Sequence, residues 1–165
     1  MEKLWAPWRL EYITTEASSQ CVFCLDDDPG RDVDRLVLLR GKRGFVIMNR
    51  YPYSNGHLLI VPYRHLHDLA DLEADEILEI HRLLTLCQQV LRDSCAAQGF
   101  NVGWNIGQVA GAGIADHLHL HIVPRWAGDT NYMPVLADIR VIPQHLNETY
   151  AMFEPIFREL AKVDH

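Results

Sequence analysis

Long apolar runs and an excess of basic residues are both missing from this sequence. No stretch reaches the roughly 20 consecutive apolar residues of a membrane-spanning helix, and the opening MEKLWAPWRLEYITTE lacks the apolar run of a signal peptide. These absences predict a cytoplasmic protein without a membrane partner. Lysine and arginine number 15 against 22 aspartates and glutamates, for a formal net charge of −7. That balance argues against a basic surface that coats nucleic acid, although a small phosphate ligand needs only local donors.

Cysteines are also few, with four in 165 residues. Cys87 and Cys95 lie in a helical pattern, where small core side chains are the expected role. Cys21 and Cys24 form a C-x-x-C pair, which in a reducing compartment indicates a metal or redox site before a structural disulfide. Zinc would need two further ligands, and the alternatives are two free thiols or a redox pair. The candidate additional ligands are His65, His67 and His117.

The length and a hydrophobic share of 48% predict one domain over 1–165 with its own core. Residues 1–34 are expected to be irregular. The strands expected from turn residues and apolar runs are 36–40, 45–49, 57–62, 100–106 and 117–123. Strands joined by tight turns, with one long helix among them, indicate an α+β fold on a mostly antiparallel sheet.

Two helices are expected, one ending near residue 97 and one over 144–163. Asp68 or Asp71 is the expected cap of the first helix, and Gly99 is placed to end it. Pro155 must kink the second helix or start its last part. The apolar face of the first helix is expected to consist of Ile77, Ile80, Leu84, Cys87 and Leu91.

The segment 115–124 carries three alternating histidines, His117, His119 and His121. On a strand, alternate side chains share a face, so the three imidazoles would lie about 7 Å apart with the intervening apolar residues in the core. Three charged imidazoles would repel, so at least some should be neutral at pH 7. Such histidines could form a polar sheet face, ligate a catalytic metal, or attack phosphorus. The Gly/Ala-rich loop over 105–113 favours attack on phosphorus, because its backbone N–H groups can approach an anion closely.

The histidine run resembles the signature of the histidine-triad (HIT) superfamily. The resemblance extends to Asn49, to Asn55-Gly56-His57, to the 105–113 loop and to Val123-Pro124-Arg125-Trp126. Within the superfamily, LWAPWRLEYI and VPRWAGDTNYM are similar to the diadenosine tetraphosphate phosphorylase (ATP adenylyltransferase-like) branch. The loop is one residue longer than in the hydrolase branches. The resemblance implies a HIT-like fold, with a five-stranded antiparallel sheet and two main helices, in a homodimer whose sheets join.

The resemblance also implies roles for individual residues. His119 would attack the α-phosphorus of an adenosine nucleotide or dinucleotide and form a nucleotidyl-histidine intermediate. His121 would contact the same phosphate, His57 would support the triad, and Asn49 would meet the ribose. The phosphate-side contacts implied are Asn105, Gly111, Ala112 and Gly113. A structural zinc would be held by Cys21, Cys24, His65 and His117, so the first triad histidine would serve the metal.

The activity implied is that of a phosphorylase or hydrolase of adenosine dinucleotides such as diadenosine tetraphosphate. The alternative within enzymes is a purine nucleoside phosphoramidate hydrolase. A nucleotide-binding protein without turnover and a metalloenzyme that uses the three histidines as ligands are the alternatives from other classes.

Overall fold

The computed structural model describes residues 21–110, 117–129 and 144–163. Its strands are β1 (Val37–Arg40), β2 (Gly44–Met48), β3 (Leu58–Pro62), β4 (Gly99–Trp104) and β5 (Leu120–Arg125). Its helices are α1 (Asp32–Arg35), α2 (Ala74–Cys95) and α3 (Leu146–Val163), with 3₁₀ turns at Pro29–Arg31, Leu69–Asp71 and Gln108–Ala110. Within the described ranges, no helix is both long and apolar enough to cross a bilayer.

The five strands form one sheet in the order β1-β2-β3-β5-β4, and every pairing is antiparallel. From β3 the chain passes through α2 to β4, which lies at the edge of the sheet. β5 then lies between β3 and β4. The predicted α+β architecture, with a five-stranded antiparallel sheet and two main helices, is confirmed. His121 lies inside the sheet, because it pairs with Leu59 of β3 on one side and with Gly103 of β4 on the other.

The core lies between the sheet and the two long helices. β2 and β3 are buried along their whole length. Phe153 and Phe157 of α3 are fully buried with Phe45 of β2 and Leu83 of α2. Tyr150 joins α3 to β1 by donating its hydroxyl hydrogen to the Val37 carbonyl oxygen at 3.0 Å. Pro155 lies inside α3.

The boundaries of α2 differ from those expected. Glu73 is the N-cap residue, and its backbone N–H donates to the Glu76 carboxylate at 2.9 Å. Asp68 instead caps the 3₁₀ turn before the helix, where its carboxylate accepts from the Ala70 N–H. The helix ends at Cys95, and its C-cap residue is Ala96, which is left-handed at φ 51°, whereas Gly99 begins β4. The capping carboxylates fit the positive end of the helix dipole.

Three further expectations were wrong in detail. Residues 29–35 form a short 3₁₀ turn and α1 within a segment expected to be irregular. Ile77 was expected on the buried face of α2, yet it is 54% exposed, because the buried face begins with Glu76 and continues through Glu79 and Ile80. The histidine strand begins at Leu120 and continues to Arg125, so Pro124 belongs to β5 and does not close it. His117 and His119 precede the strand.

Candidate functional site

His119 is held in one protonation form by the backbone. Its Nδ1 lies 2.8 Å from the carbonyl oxygen of His117, which can only accept a hydrogen bond, so Nδ1 carries the proton. The other nitrogen, Nε2, is therefore unprotonated and has a lone pair. Burial lowers the pKa of His119, although the hydrogen bond to the His117 carbonyl opposes the shift. The ring is 7% exposed and packs against Phe23. The result is a neutral imidazole suited to nucleophilic attack.

His57, directly before β3, and His121, on β5, form a buried pair. His57 Nε2 lies 2.9 Å from His121 Nδ1. Burial, and to a lesser extent the electrostatic interaction with the neighbouring His119, lowers the pKa of His121 to about 4. His121 is therefore neutral at pH 7. Asn105 approaches the other side of the ring, with its Nδ2 3.3 Å from His121 Nε2.

The imidazoles lie closer together than ideal strand spacing predicts. The ring centroids of His119 and His121 are 4.9 Å apart, with an angle of 57° between the planes, instead of about 7 Å. The reason is that His119 lies just before β5 and is not bound by strand geometry. His117 turns away from this pair, because its ring packs against His65 and faces the two cysteines.

The Asn55-Gly56-His57 motif has a structural explanation. The Asn55 side chain bonds to Gln144 and Thr149 at the start of α3. Gly56 has φ 71°, and a Cβ there would lie 3.2 Å from Leu91 and 3.4 Å from Phe153. Only glycine adopts this turn without strain so close to the core. The turn places His57 directly before β3, where the residue is 1% exposed.

Asn49 and Tyr53 flank the pair of imidazoles. The Asn49 Nδ2 is nearly equidistant from the two His57 ring nitrogens, at 3.3 and 3.5 Å, so it lies over the face of that ring. The Tyr53 ring stacks on His121 with a centroid separation of 5.7 Å and an interplanar angle of 11°. Tyr53 was not anticipated, because an isolated tyrosine in a turn-rich loop has no distinguishing sequence pattern. Gly111, Ala112 and Gly113 lie outside the described residues.

Four side chains form a cluster that could hold a metal ion. One ligand atom from each of Cys21, Cys24, His65 and His117 lies within 4.8 Å of all the others. Cys21 Sγ is 3.4 Å and Cys24 Sγ is 3.9 Å from His117 Nδ1, while Cys24 Sγ is 3.3 Å from His65 Nδ1. Tetrahedral zinc, with Zn–S near 2.3 Å and Zn–N near 2.0 Å, requires sulfur–nitrogen separations of about 3.5 Å. The cluster therefore matches the size and chemistry of a Cys₂His₂ zinc site.

The protonation of its donors bears on whether the cluster can hold a cation. Burial and the neighbouring Cys21 raise the pKa of Cys24, which favours the neutral thiol, so a bound cation would be needed to keep both sulfurs as thiolates. His117 Nε2 donates to the Pro62 carbonyl oxygen at 2.9 Å, which leaves Nδ1 as the unprotonated nitrogen facing the cysteines. His67, the other histidine considered, is exposed and lies outside the cluster.

Comparisons with known proteins agree with this architecture. The HIT domain family model matches residues 20–128. An AP-4-A phosphorylase of Mycobacterium tuberculosis is 37% identical over 162 residues, which cover 90% of this chain and 80% of that protein. The chain belongs to the HIT domain family.

Two solved structures show the same fold. A Zn-bound histidine triad family protein from Mycobacterium smegmatis superposes with a TM-score of 0.65 at 25% identity, covering 87% of this chain and 96% of that one. A hypothetical histidine triad nucleotide-binding protein from Sulfolobus tokodaii gives a TM-score of 0.64 at 26% identity, covering 87% and 93%.

Proposed function

We propose that this protein is a phosphorylase or hydrolase of adenosine dinucleotides such as diadenosine tetraphosphate, acting through a nucleotidyl-His119 intermediate. The observation that carries the proposal is the His119 Nδ1 contact with the His117 carbonyl at 2.8 Å, which leaves Nε2 as the nucleophile. The similarity to an AP-4-A phosphorylase over 90% of the chain supports the substrate class.

The reaction has two displacements at the same phosphorus. His119 Nε2 attacks the α-phosphorus of one adenylyl group, the bond to the bridging oxygen breaks, and ATP leaves from diadenosine tetraphosphate. Phosphate or water then attacks the adenylyl-histidine, the P–N bond breaks, and ADP or AMP is released. The His117 carbonyl keeps the Nδ1 proton in place and stabilises the positive charge that the ring gains.

The remaining predicted residues act on the substrate in this proposal. His121 contacts the phosphate that is attacked, from its position 4.9 Å from the His119 ring. Asn105, the first residue of the 105–113 loop, contacts the phosphate groups of the substrate, and so do Gly111, Ala112 and Gly113. Asn49 is half-buried beside His57 and meets the ribose.

The test is to incubate the protein with diadenosine tetraphosphate, with and without phosphate, and to identify the products by mass. ADP plus ATP only in the presence of phosphate indicates phosphorolysis, and AMP plus ATP without phosphate indicates hydrolysis. Turnover of adenosine phosphoramidate alone would favour the phosphoramidate hydrolase, and nucleotide binding without any product would favour a binding protein. Either of these last two results would overturn the proposal.

The nucleophile is tested by His119→Ala, with His81→Ala as the matched control because His81 is exposed on α2. We expect His119→Ala to lose at least about a thousandfold in kcat, in line with removal of a covalent nucleophile. His81→Ala should retain normal kcat. Substantial turnover by a folded His119→Ala variant would refute the assignment.

We infer that the cluster binds a structural zinc through Cys21, Cys24, His65 and His117. Its donor set and spacing support zinc, and so does the similarity in fold to the Zn-bound histidine triad family protein from Mycobacterium smegmatis. The metal would tie the segment before α1 to the turn that precedes β5. A closed four-ligand site of this kind has a structural function and leaves the chemistry to His119.

Metal analysis of Cys21→Ser tests this inference, with Cys95→Ser as the control. Cys95 is half-buried on α2, outside the cluster, and its Sγ contacts the Leu91 carbonyl. We expect about one zinc per chain in the control and strongly reduced zinc in Cys21→Ser. Equal zinc in the two variants would contradict the site. If chelators abolish turnover and added metal restores it, the metalloenzyme alternative is favoured instead.

A homodimer in which two sheets join is the expected assembly. The support is β4, which ends the strand order and pairs with β5 alone among the described strands. Val102 on this strand is 42% exposed, and an unpaired edge is a template for pairing with another chain. The mass in solution, measured by light scattering, distinguishes a dimer from a monomer.

A further inference from the structure

The loop between β2 and β3 places the Tyr53 side chain over the candidate site. The Tyr53 N–H donates to His57 Nδ1 at 3.0 Å, which fixes the backbone at this position. The Tyr53 ring stacks on His121 at an interplanar angle of 11° and tilts against His57 at a centroid distance of 4.7 Å. Offset packing of this kind is favourable between aromatic rings. Tyr53 therefore has a defined position relative to His121, although it belongs to a loop.

The hydroxyl of Tyr53 lies next to Asn105. The Asn105 Nδ2 is 3.4 Å from Tyr53 Oη and 3.3 Å from His121 Nε2. Both distances are longer than the roughly 2.9 Å of a typical hydrogen bond from nitrogen. Polar contacts in unliganded active sites are often long and shorten when a ligand binds. A phenol, a carboxamide and an imidazole thus converge on one small region of the site.

Tyr53 and His121 address different points in this region. The two rings are stacked in nearly parallel planes, so the Tyr53 hydroxyl is displaced from the plane of the His121 ring. A ring nitrogen makes its hydrogen bond within the plane of its own ring, along the N–H or lone-pair direction. A ligand that bonds to both side chains must therefore present two separate polar atoms. A phosphate group does so, because it has several oxygens on one phosphorus.

Tyr53 is also accessible to a ligand from solvent. It is 43% exposed, whereas His121 beneath it is 8% exposed. A phenol oxygen accepts and donates at the same time, and when it accepts from the Asn105 amide its own hydrogen points away from Asn105. Tyrosine hydroxyls are among the donors that stabilise negative charge on oxygen in enzyme sites. The Tyr53 hydroxyl has the position and the chemistry of such a donor.

We propose that Tyr53 contacts the substrate directly, through a hydrogen bond from its hydroxyl to an oxygen of the phosphate that His119 attacks. This oxygen is different from the one that His121 contacts. The inference rests on the proposed function for its statement that His119, His121 and Asn105 face a phosphate. If Tyr53 only covered His121, its ring would be sufficient. Tyr53→Phe separates the two roles, because phenylalanine retains the stacked ring and loses only the hydroxyl.

The first test measures binding and needs no turnover. The ligands are AMP, which has one phosphate, and adenosine, which has none, and their Kd values are measured by isothermal titration calorimetry. We expect Tyr53→Phe to bind AMP about 10-fold more weakly than the wild type, because a hydrogen bond to a charged group is lost. Adenosine binding should stay within about twofold. Tyr51→Phe is the matched control, since Tyr51 lies in the same loop and is 42% exposed, and it should bind both ligands like the wild type.

The second test is kinetic. With diadenosine tetraphosphate as substrate, we expect Tyr53→Phe to lower kcat/KM by about 10-fold, and Tyr51→Phe to leave it unchanged. Weakened AMP binding together with an unchanged kcat/KM would overturn the inference, because the contacted phosphate would then not be the one that reacts.

The outcomes separate this inference from the proposed function. Equal AMP affinity in Tyr53→Phe and the wild type, or an equal loss of affinity for AMP and adenosine, would overturn the contact between Tyr53 and the phosphate. A wild-type protein that binds no AMP would overturn it as well. A wild-type protein without dinucleotide turnover would refute the proposed function, and the binding measurements with AMP would still decide whether Tyr53 contacts a phosphate.

Discussion

Acid should destabilise this protein measurably through His121. Burial, together with the electrostatic interaction with the neighbouring His119, lowers the pKa of His121 from 6.5 to about 4 in the folded state. In the unfolded chain the same side chain has an ordinary pKa near 6.5. Between these values the unfolded state binds a proton that the folded state does not, so stability falls as the pH falls. The contribution is fully present above the unfolded pKa and is lost as the pH falls toward the folded one.

The size of the effect follows from the width of that window. One proton taken up on unfolding changes the free energy of unfolding by about 1.4 kcal/mol per pH unit. Over the roughly 2.5 units between 6.5 and 4, His121 should lower the stability by about 3 kcal/mol. This is a large share of the roughly 5–15 kcal/mol of a typical domain. The ring is 8% exposed, so little solvent screening weakens the effect.

The assay is urea denaturation of the wild-type protein and of His121→Gln at several pH values between about 7.5 and 4.5, which span most of the titration window. The other histidines and any metal loss affect both proteins, so the difference between the two stability curves isolates His121. The variant loses the contact with His57, which shifts its free energy of unfolding at every pH. The slope of that free energy against pH should nevertheless be smaller in the variant than in the wild type, by the contribution of about one proton. His81→Gln serves as the control and should run parallel to wild type. Parallel curves for His121→Gln and wild type would refute the reasoning.

Two further predictions concern the fold. Gly44→Ala should lower the free energy of unfolding by about 2 kcal/mol, because a Cβ there would lie 2.6 Å from the Val61 carbonyl oxygen on β3. Gly103→Ala is the control within the same sheet, since no described atom lies within 4 Å of its Cβ position, and equal effects of the two changes would contradict the clash. Tyr150→Phe should cost about 1 kcal/mol, because it removes the buried hydrogen bond to the Val37 carbonyl. Chemical denaturation measures all three, and an unaffected Tyr150→Phe would show that this bond contributes no net stability.

The sheet was predictable because its signals are local. Short apolar runs bounded by turn residues marked all five strands within a few positions. The C-x-x-C spacing left His65, His67 and His117 as candidate ligands, and the family resemblance selected the two, His65 and His117, that the structure brings together with the cysteines. The helix start was missed because Glu73 and Glu76 cap α2 together, and a glutamate at the N-cap is a weak sequence signal beside Asp68 and Asp71.

The site departs from prediction where tertiary contacts decide the geometry. Ideal strand spacing placed the imidazoles about 7 Å apart, whereas His119 lies before β5 and turns toward His121. The contribution of Tyr53 comes from its backbone N–H and from ring stacking, and neither depends on a recognisable pattern. The roles assigned to individual residues, including the 111–113 segment outside the described ranges, stay predictions until the proposed variants are measured.

The two tasks of His117 have an evolutionary consequence. Its imidazole faces the cysteines, while its carbonyl oxygen orients His119. Every amino acid has a backbone carbonyl, so the support for His119 does not depend on which side chain occupies position 117. A descendant of this protein could exchange this histidine together with Cys21 and Cys24, lose the candidate metal cluster, and still inherit the same orientation of His119. The candidate metal cluster and the His119 imidazole can therefore diverge independently, although His117 and His119 are only two residues apart in the chain.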